Sequence, residues 1–237
     1  MVAPGQVALV LGGTRSGKSA AAERLAAAQA GPGAGCVTYV ATGPPATGGT
    51  SDPQWQARVA AHRARRPEGW VTAEVTGSGL LGVLSAVDGV ALVDSLGAWI
   101  SSFEEFAAPA GELCGVLAAR AGSGRPTVVV SEEVGLGVHP PTEVGRRFAD
   151  ALGTLNQAVA EVADRVLLVV AGRVIAAPKR PTGCMKEGGS PRSASSSSPP
   201  ATASARNAIV DRLTIARPPP RGRRSRGSRP PHPGRRR

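Results

Sequence analysis

Eight consecutive residues, Gly12-Gly13-Thr14-Arg15-Ser16-Gly17-Lys18-Ser19, fit the spacing G-x-x-x-x-G-K-[ST]. That spacing suits phosphate. Glycines let backbone N–H groups turn inward, and the helix start that follows adds partial positive charge. Lys18 is then in reach of β- and γ-phosphates, and the Ser19 hydroxyl can ligate Mg²⁺. The pattern carries this meaning only between a strand and a helix. Val7–Leu11 is a short apolar run that predicts a buried strand, and the Ala-rich Lys18–Ala30 predicts a helix. A second acidic ligand for the ion is expected at the end of a neighbouring strand. Val90-Ala91-Leu92-Val93-Asp94 has that form, and open parallel sheets hold ligands at such carboxyl ends. These residues point to an enzyme acting on a nucleoside triphosphate. They leave the nucleotide and the acceptor open. No Asn/Thr-Lys-x-Asp guanine signature occurs, which argues against a regulatory GTPase.

His62 is the second candidate. It stands in Arg58-Val59-Ala60-Ala61-His62-Arg63-Ala64-Arg65-Arg66-Pro67, followed by Trp70 and Glu74. Arg58 and His62 are spaced i, i+4 and share a face if the segment is helical. Surrounding cations favour a neutral, nucleophilic imidazole and gather phosphate oxygens. Such a histidine can attack an α-phosphate and carry a nucleotidyl group. The same stretch also reads as an exposed histidine on a basic helix.

Positioning these residues requires an alternating scaffold. Strands are expected at Cys36–Ala41, Gly89–Asp94, Thr127–Ser131 and Val166–Ala171. Helices are expected at Asp52–Ala64, with Asp52 as N-cap and Pro53 in first place, at Gly111–Ala121 and at Thr142–Ala163. Continuous Val/Leu strands alternating with helices mean a mostly parallel sheet flanked by helices on both faces.

Charge divides the chain of 237 residues in two. Residues 1–178 carry 13 Lys+Arg against 15 Asp+Glu, whereas 179–237 carry 15 against 2. The overall charge of +11 therefore belongs to the last quarter. From Pro181 on, 25 of 57 residues are Pro, Ser or Gly, too few apolar groups to offset ordering entropy. We read 1–178 as a kinase-type P-loop domain and 179–237 as a basic, disordered tail. Arginine-rich arms bind phosphate backbones, so a nucleic-acid-binding protein acting through its tail is one alternative. Against it, the tail has no aromatic residue to stack on bases. No apolar run is long enough for a membrane span. Three scattered cysteines, Cys36, Cys114 and Cys184, have neither metal-ligand nor disulfide spacing, which fits a cytoplasmic protein. Cys114 reads as a small core hydrophobe on a helix.

Several segments together resemble the bifunctional adenosylcobinamide kinase / adenosylcobinamide-phosphate guanylyltransferase family of cobalamin biosynthesis. They are Gly12–Ser19; Tyr39-Val40-Ala41-Thr42; Arg58-Val59 through His62 to Arg66-Pro67 and Trp70; Leu92-Val93-Asp94-Ser95-Leu96 with Trp99; Val130-Ser131-Glu132-Glu133-Val134-Gly135-Leu136-Gly137; and Arg146-Arg147-Phe148-Ala149-Asp150 through Asn156-Gln157 to Gly172. The likeness implies a RecA-like P-loop NTPase fold, a homotrimer and two reactions. The aminopropanol hydroxyl of adenosylcobinamide, a corrinoid, is phosphorylated by ATP or GTP. GMP then passes from GTP to that phosphate through a guanylyl-histidine. The matching histidine is His62. Implied nucleotide contacts are Gly12–Ser19, Ala41, Thr42, Gly43, Arg63, Ala64, Arg65, Arg66, Glu74 and Asp94. A P-loop small-molecule kinase without guanylyl transfer is the other alternative.

The chain departs from the family pattern in places. Gln54 stands where an acid is common and Trp55 where Met is usual. Glu132 replaces a usual Asn, Gly97-Ala98 are smaller than usual, and His139 replaces an apolar residue. His139 reads as a surface substitution. Asp150 and Asn156 are left outside the expected site.

Overall fold

The computed structural model describes residues 5–31, 37–43, 57, 60–61, 63–64 and 66–178, all within one compact unit, Met1–Glu187. Seven strands form one sheet: β1 (Val7–Gly12), β2 (Val37–Ala41), β3 (Val71–Glu74), β4 (Val90–Asp94), β5 (Thr127–Glu132), β6 (Arg165–Val170) and β7 (Arg173–Ala177). The spatial order is β3-β2-β4-β5-β1-β6-β7. All neighbours are parallel except β6 and β7. Among the described residues the continuous helices are α1 (Lys18–Ala30), α2 (Gly79–Ala86), α3 (Leu96–Ile100), α4 (Ala110–Gly122) and α5 (Glu143–Val162), with a short 3₁₀ turn at Glu104–Phe106; residues 57, 60–61 and 63–64 are helical too.

Alternation along each strand divides the core. In β1, Ala8 and Val10 face α1, whereas Val7 and Leu9 face the opposite side. The α1 face is built from small residues, Ala21, Ala22, Leu25 and Ala26, so this helix lies close to the sheet. On the other face α2, α4 and α5 supply Leu80, Leu84, Leu113, Leu117, Leu152 and Val159, with Trp99 of α3 fully buried among them. The expected parallel sheet covered on both sides is therefore present.

Boundaries differ at several points. The helix Lys18–Ala30 stands as expected, and the long helix runs from Glu143 to Val162, with the Thr142 hydroxyl accepting from Gly145 N at 3.1 Å. Four elements were not anticipated: β3, α2, α3 and β7. Strand β3 is short and mostly exposed, so no apolar run marks it. Helix α2 buries only Leu80 and Leu84, and its two glycines obscure the period. Strand β7 follows a two-residue turn, Ala171-Gly172, in which both φ angles are positive (50° and 77°). That is the geometry a tight hairpin needs, but alanine does not announce it. Most of the expected helix Asp52–Ala64 lies outside the described residues. Cys114 is half-buried on α4 and packs against the core. Among the described residues, no helix is long and apolar enough to cross a membrane.

Candidate functional site

Because β1 to β6 run in one direction, their carboxyl ends lie along one edge. Gly12, Ala41, Glu74, Asp94 and Glu132 are the last residues of β1, β2, β3, β4 and β5. The sequence-predicted residues that the structure describes fall on this edge or in the segments continuing from it.

The loop Gly13–Gly17 turns between β1 and α1. Ser16 N donates to Gly13 O at 3.2 Å, and Ser16 O accepts from Gly172 N at 2.8 Å, which ties the loop to the β6–β7 turn. A Cβ at Gly12 would lie 2.8 Å from Val169 O, and Gly17 has φ 93°. These two glycines answer a close approach and a left-handed backbone respectively. Arg15 also has positive φ, 58°, a conformation that costs about 1 kcal/mol or more and clusters at functional loops. Gly17 offers α1 no side-chain cap, and its first turn has no acidic residue. The positive end of the helix is thus left for an anion. Thr14 and Gly13 are exposed, and Ser19 is half-buried in the first turn.

Lys18 Nζ lies 3.5 Å from Gly13 O and 3.6 Å from Glu132 Oε1. Glu132 is the next carboxylate along the edge, paired in register with Gly12. It also accepts from Ser95 Oγ, at 2.9 and 3.1 Å to its two oxygens, and from Gly97 N at 3.1 Å. Asp94 Oδ2 accepts from the Tyr39 hydroxyl at 2.5 Å. The Thr42 side chain is buried and donates to Ser95 O at 2.6 Å. Its backbone N–H donates to Asp94 O at 3.3 Å, so Thr42 braces the Asp94–Ser95 corner with both its hydroxyl and its amide. Ala41 and Gly43 flank it, both half-buried.

Mg²⁺ fits this edge. Ser19 and Asp94 offer a hydroxyl and a carboxylate. Among the described residues no cluster of three His, Cys, Asp or Glu side chains gathers. An ion that keeps most of its shell as phosphate oxygens and water needs no such cage.

His62 and Arg65 lie outside the described residues. Their neighbours reach back to the same edge. Arg63 pairs with Glu74 at the end of β3. Arg66 donates to Thr72 Oγ1 at 2.8 Å and stacks its guanidinium 3.5 Å above the Tyr39 ring. A continuous line of contacts thus runs from Asp94 through Tyr39 to Arg66. Ala64 is exposed.

Sequence reasoning passed over three contributors. Tyr39 and Ser95 were read only as parts of a family segment, and Glu132 only as a departure. The signal for Glu132 was available: it ends an apolar strand run, as Asp94 does. A fourth feature needed the fold. A cavity of about 470 Å³ lies between β1, the segment after β5 and α5, lined by Leu11, Glu133, His139, Asp150, Asn156 and Gln157 among others. Asn156 donates to Glu132 O at 3.0 Å, and its buried Oδ1 has no hydrogen-bond partner among the described residues. His139 is exposed, as expected.

A family model described as cobinamide kinase / cobinamide phosphate guanyltransferase matches residues 8–177. The bifunctional adenosylcobalamin biosynthesis protein CobP of Pseudomonas aeruginosa is 38% identical over 169 residues, covering 69% of this chain and 92% of that protein. The bifunctional adenosylcobalamin biosynthesis protein CobU of Salmonella typhimurium is 31% identical over 182 residues, and that of Escherichia coli 32% over 183, each covering 69% of this chain and 95% of the relative. With a phosphate loop at the sheet edge and a match across nearly the whole of these relatives, the chain belongs to the cobinamide kinase / cobinamide phosphate guanyltransferase family.

Proposed function

We propose that this chain phosphorylates adenosylcobinamide with a nucleoside triphosphate, ATP or GTP, and then transfers GMP from GTP to the product. The observation that carries the reading is the line Asp94–Tyr39–Arg66, together with the Arg63–Glu74 pair. It links the phosphate-binding edge to the basic segment that contains His62.

In the first reaction the corrinoid hydroxyl attacks the γ-phosphorus and the nucleoside diphosphate leaves. The loop amides from Gly12 to Ser19 hold the β-phosphate, and Lys18 moves from its present partners onto the γ-oxygens. The cavity beside Leu11 and Glu133 accepts the arm that carries the hydroxyl. In the second reaction His62 attacks the α-phosphorus of GTP. A phosphorus–nitrogen bond forms, the bond to the β-bridging oxygen breaks, and pyrophosphate leaves. The phosphate of the first product then displaces the histidine, giving adenosylcobinamide-GDP. Lys18 neutralises the leaving pyrophosphate, while Arg63, Arg65 and Arg66 offset the charge near the α-phosphate. Ser19 and Asp94 would hold Mg²⁺, which would add to neutralisation of the triphosphate.

Residues 1–178 form the catalytic domain in this reading; the family match ending at residue 177 supports that boundary. A homotrimer in the cytoplasm belongs to the same reading. The decisive experiment is covalent labelling. The protein is incubated with α-phosphate-labelled GTP and Mg²⁺ without corrinoid, then denatured. An acid-labile, base-stable label that is absent in His62→Ala is the expected result. A folded protein that binds GTP yet takes no label would leave only the kinase.

A further inference from the structure

Two departures from the family pattern, 35 residues apart in sequence, touch: Gly97 N donates to Glu132 Oε2. A Cβ built on Gly97 would overlap the Glu132 carboxylate. A Cβ at position 97 would therefore displace the Glu132 carboxylate from this position. The carboxylate is fixed at both oxygens by the Ser95 hydroxyl and at one by Gly97 N. Ser95 is itself buried, and its Oγ lies within reach of Ala98 N, at the start of α3. The carboxylate's Oε1 lies 3.6 Å from Lys18 Nζ. The Lys18 side chain is 12% exposed and the Glu132 side chain 31%, so water screens this pair less than a surface one.

We propose that Glu132 is the positioning counter-ion of the phosphate-loop lysine. It holds Lys18 while no triphosphate is bound, the triphosphate must take the ammonium from it, and Gly97 is the space that lets a carboxylate of this length do so. This rests on the triphosphate reading of the loop. Lys18 has a flexible four-carbon stem and can swing, whereas Glu132 is pinned by Ser95 and Gly97 and stays. Once the phosphates arrive, the fixed carboxylate is a like charge beside them. It weakens binding of the triphosphate and favours release of the spent, less charged nucleotide.

The test compares the full chain with Glu132→Gln, Glu132→Asn, Gly97→Ala and the double variant Gly97→Ala/Glu132→Asn. Dissociation constants for MgATP and MgGTP are measured by calorimetry at low and high salt, with melting temperature alongside. Both single substitutions at 132 are expected to bind triphosphate about twofold to fivefold more tightly, the range for a partly exposed charge pair. The gain should shrink at high salt. Asparagine serves as the second variant because it also lacks the charge and is one methylene shorter, which leaves room for a Cβ at position 97. Gly97→Ala should lower the melting temperature, and the double variant should restore it. Unchanged or weaker triphosphate binding in both variants at an unchanged melting temperature would overturn the assignment. So would a loss of kcat with unaltered affinity, which would make Glu132 a base for the acceptor hydroxyl. A Gly97→Ala protein as stable as the parent would overturn the space argument. If the wild-type chain bound no triphosphate, the functional reading would fall with it, and that outcome is distinct from the others.

Discussion

Tyr39 ties the Asp94 carboxylate at the end of β4 to the arginine cluster. Its ring is buried beneath the Arg66 guanidinium and its hydroxyl reaches Asp94. Burial, and then the neighbouring Asp94 charge, push the phenol well above its ordinary value of 10.0. The phenol therefore stays a hydrogen-bond donor throughout the working range. The raised value also sets a pH dependence. Below the unfolded value both states hold the proton, and Tyr39 adds nothing that varies with pH. Above it the unfolded chain ionises first, so native stability is lost as pH rises. Tyr39→Phe should cost about 1 kcal/mol at pH 8. The stability gap between parent and variant, read from urea unfolding, should hold to about pH 9.5 and shrink beyond it. A gap constant to pH 11 would contradict the assignment. At this scale the sequence disclosed Lys18 and Asp94, one in the glycine-rich loop-to-helix spacing and the other at the end of an apolar strand run, both local signals. It could not disclose Tyr39, whose hydroxyl meets Asp94 only because β2 and β4 pair in register at Tyr39 and Leu92.

At the scale of elements, Arg120 on α4 is the clearest non-local device. It is fully buried and donates to Thr127 Oγ1 and to the carbonyls of Leu84, Val87, Gly89 and Pro126. These belong to the end of α2 and to the approaches of β4 and β5, so one guanidinium satisfies the backbone at three junctions. Burial, then neighbouring Arg125, lowers it to about 10, which leaves it charged at neutral pH. Arg120→Met should destabilise the fold by about 3–5 kcal/mol, because several buried carbonyls lose their donor. Arg120→Lys should recover little of this, since an ammonium cannot span the same fork. Thermal melts of the two variants check both statements. In the sequence Arg120 is simply a charge near a helix end. The long helix Glu143–Val162, by contrast, was legible because its apolar residues recur at helical spacing and Thr142 caps it.

At the scale of the molecule, strand order turns separate segments into one edge. β5 inserts between β4 and β1, and this brings Glu132 to Lys18 and leaves Asp94 one strand away. The tail is the other large-scale feature. It carries 15 Lys+Arg against 2 Asp+Glu, and the proposed function assigns it no part in the chemistry. Removing residues 181–237 should leave both activities and the melting temperature unchanged. It should also abolish any salt-sensitive retention on RNA or DNA, measured by electrophoretic mobility at two ionic strengths. Loss of both activities in a folded truncated protein would move the domain boundary.

The phosphate loop, the alternating parallel architecture and the family pattern can all be read from the order of the residues. Each of these is written in short-range spacing: glycines and a lysine in eight residues, apolar runs of strand length, and a helical period. Tertiary structure alone decided the contacts that couple those parts. These are Glu132 against Lys18 and Gly97, Tyr39 under Arg66, Arg120 across three junctions, and β7 closing behind the loop. All but the tight β6–β7 turn, which alanine disguises, join residues distant in sequence. Their energies depend on register, burial and the space left by a missing Cβ, and no local run of residues encodes those.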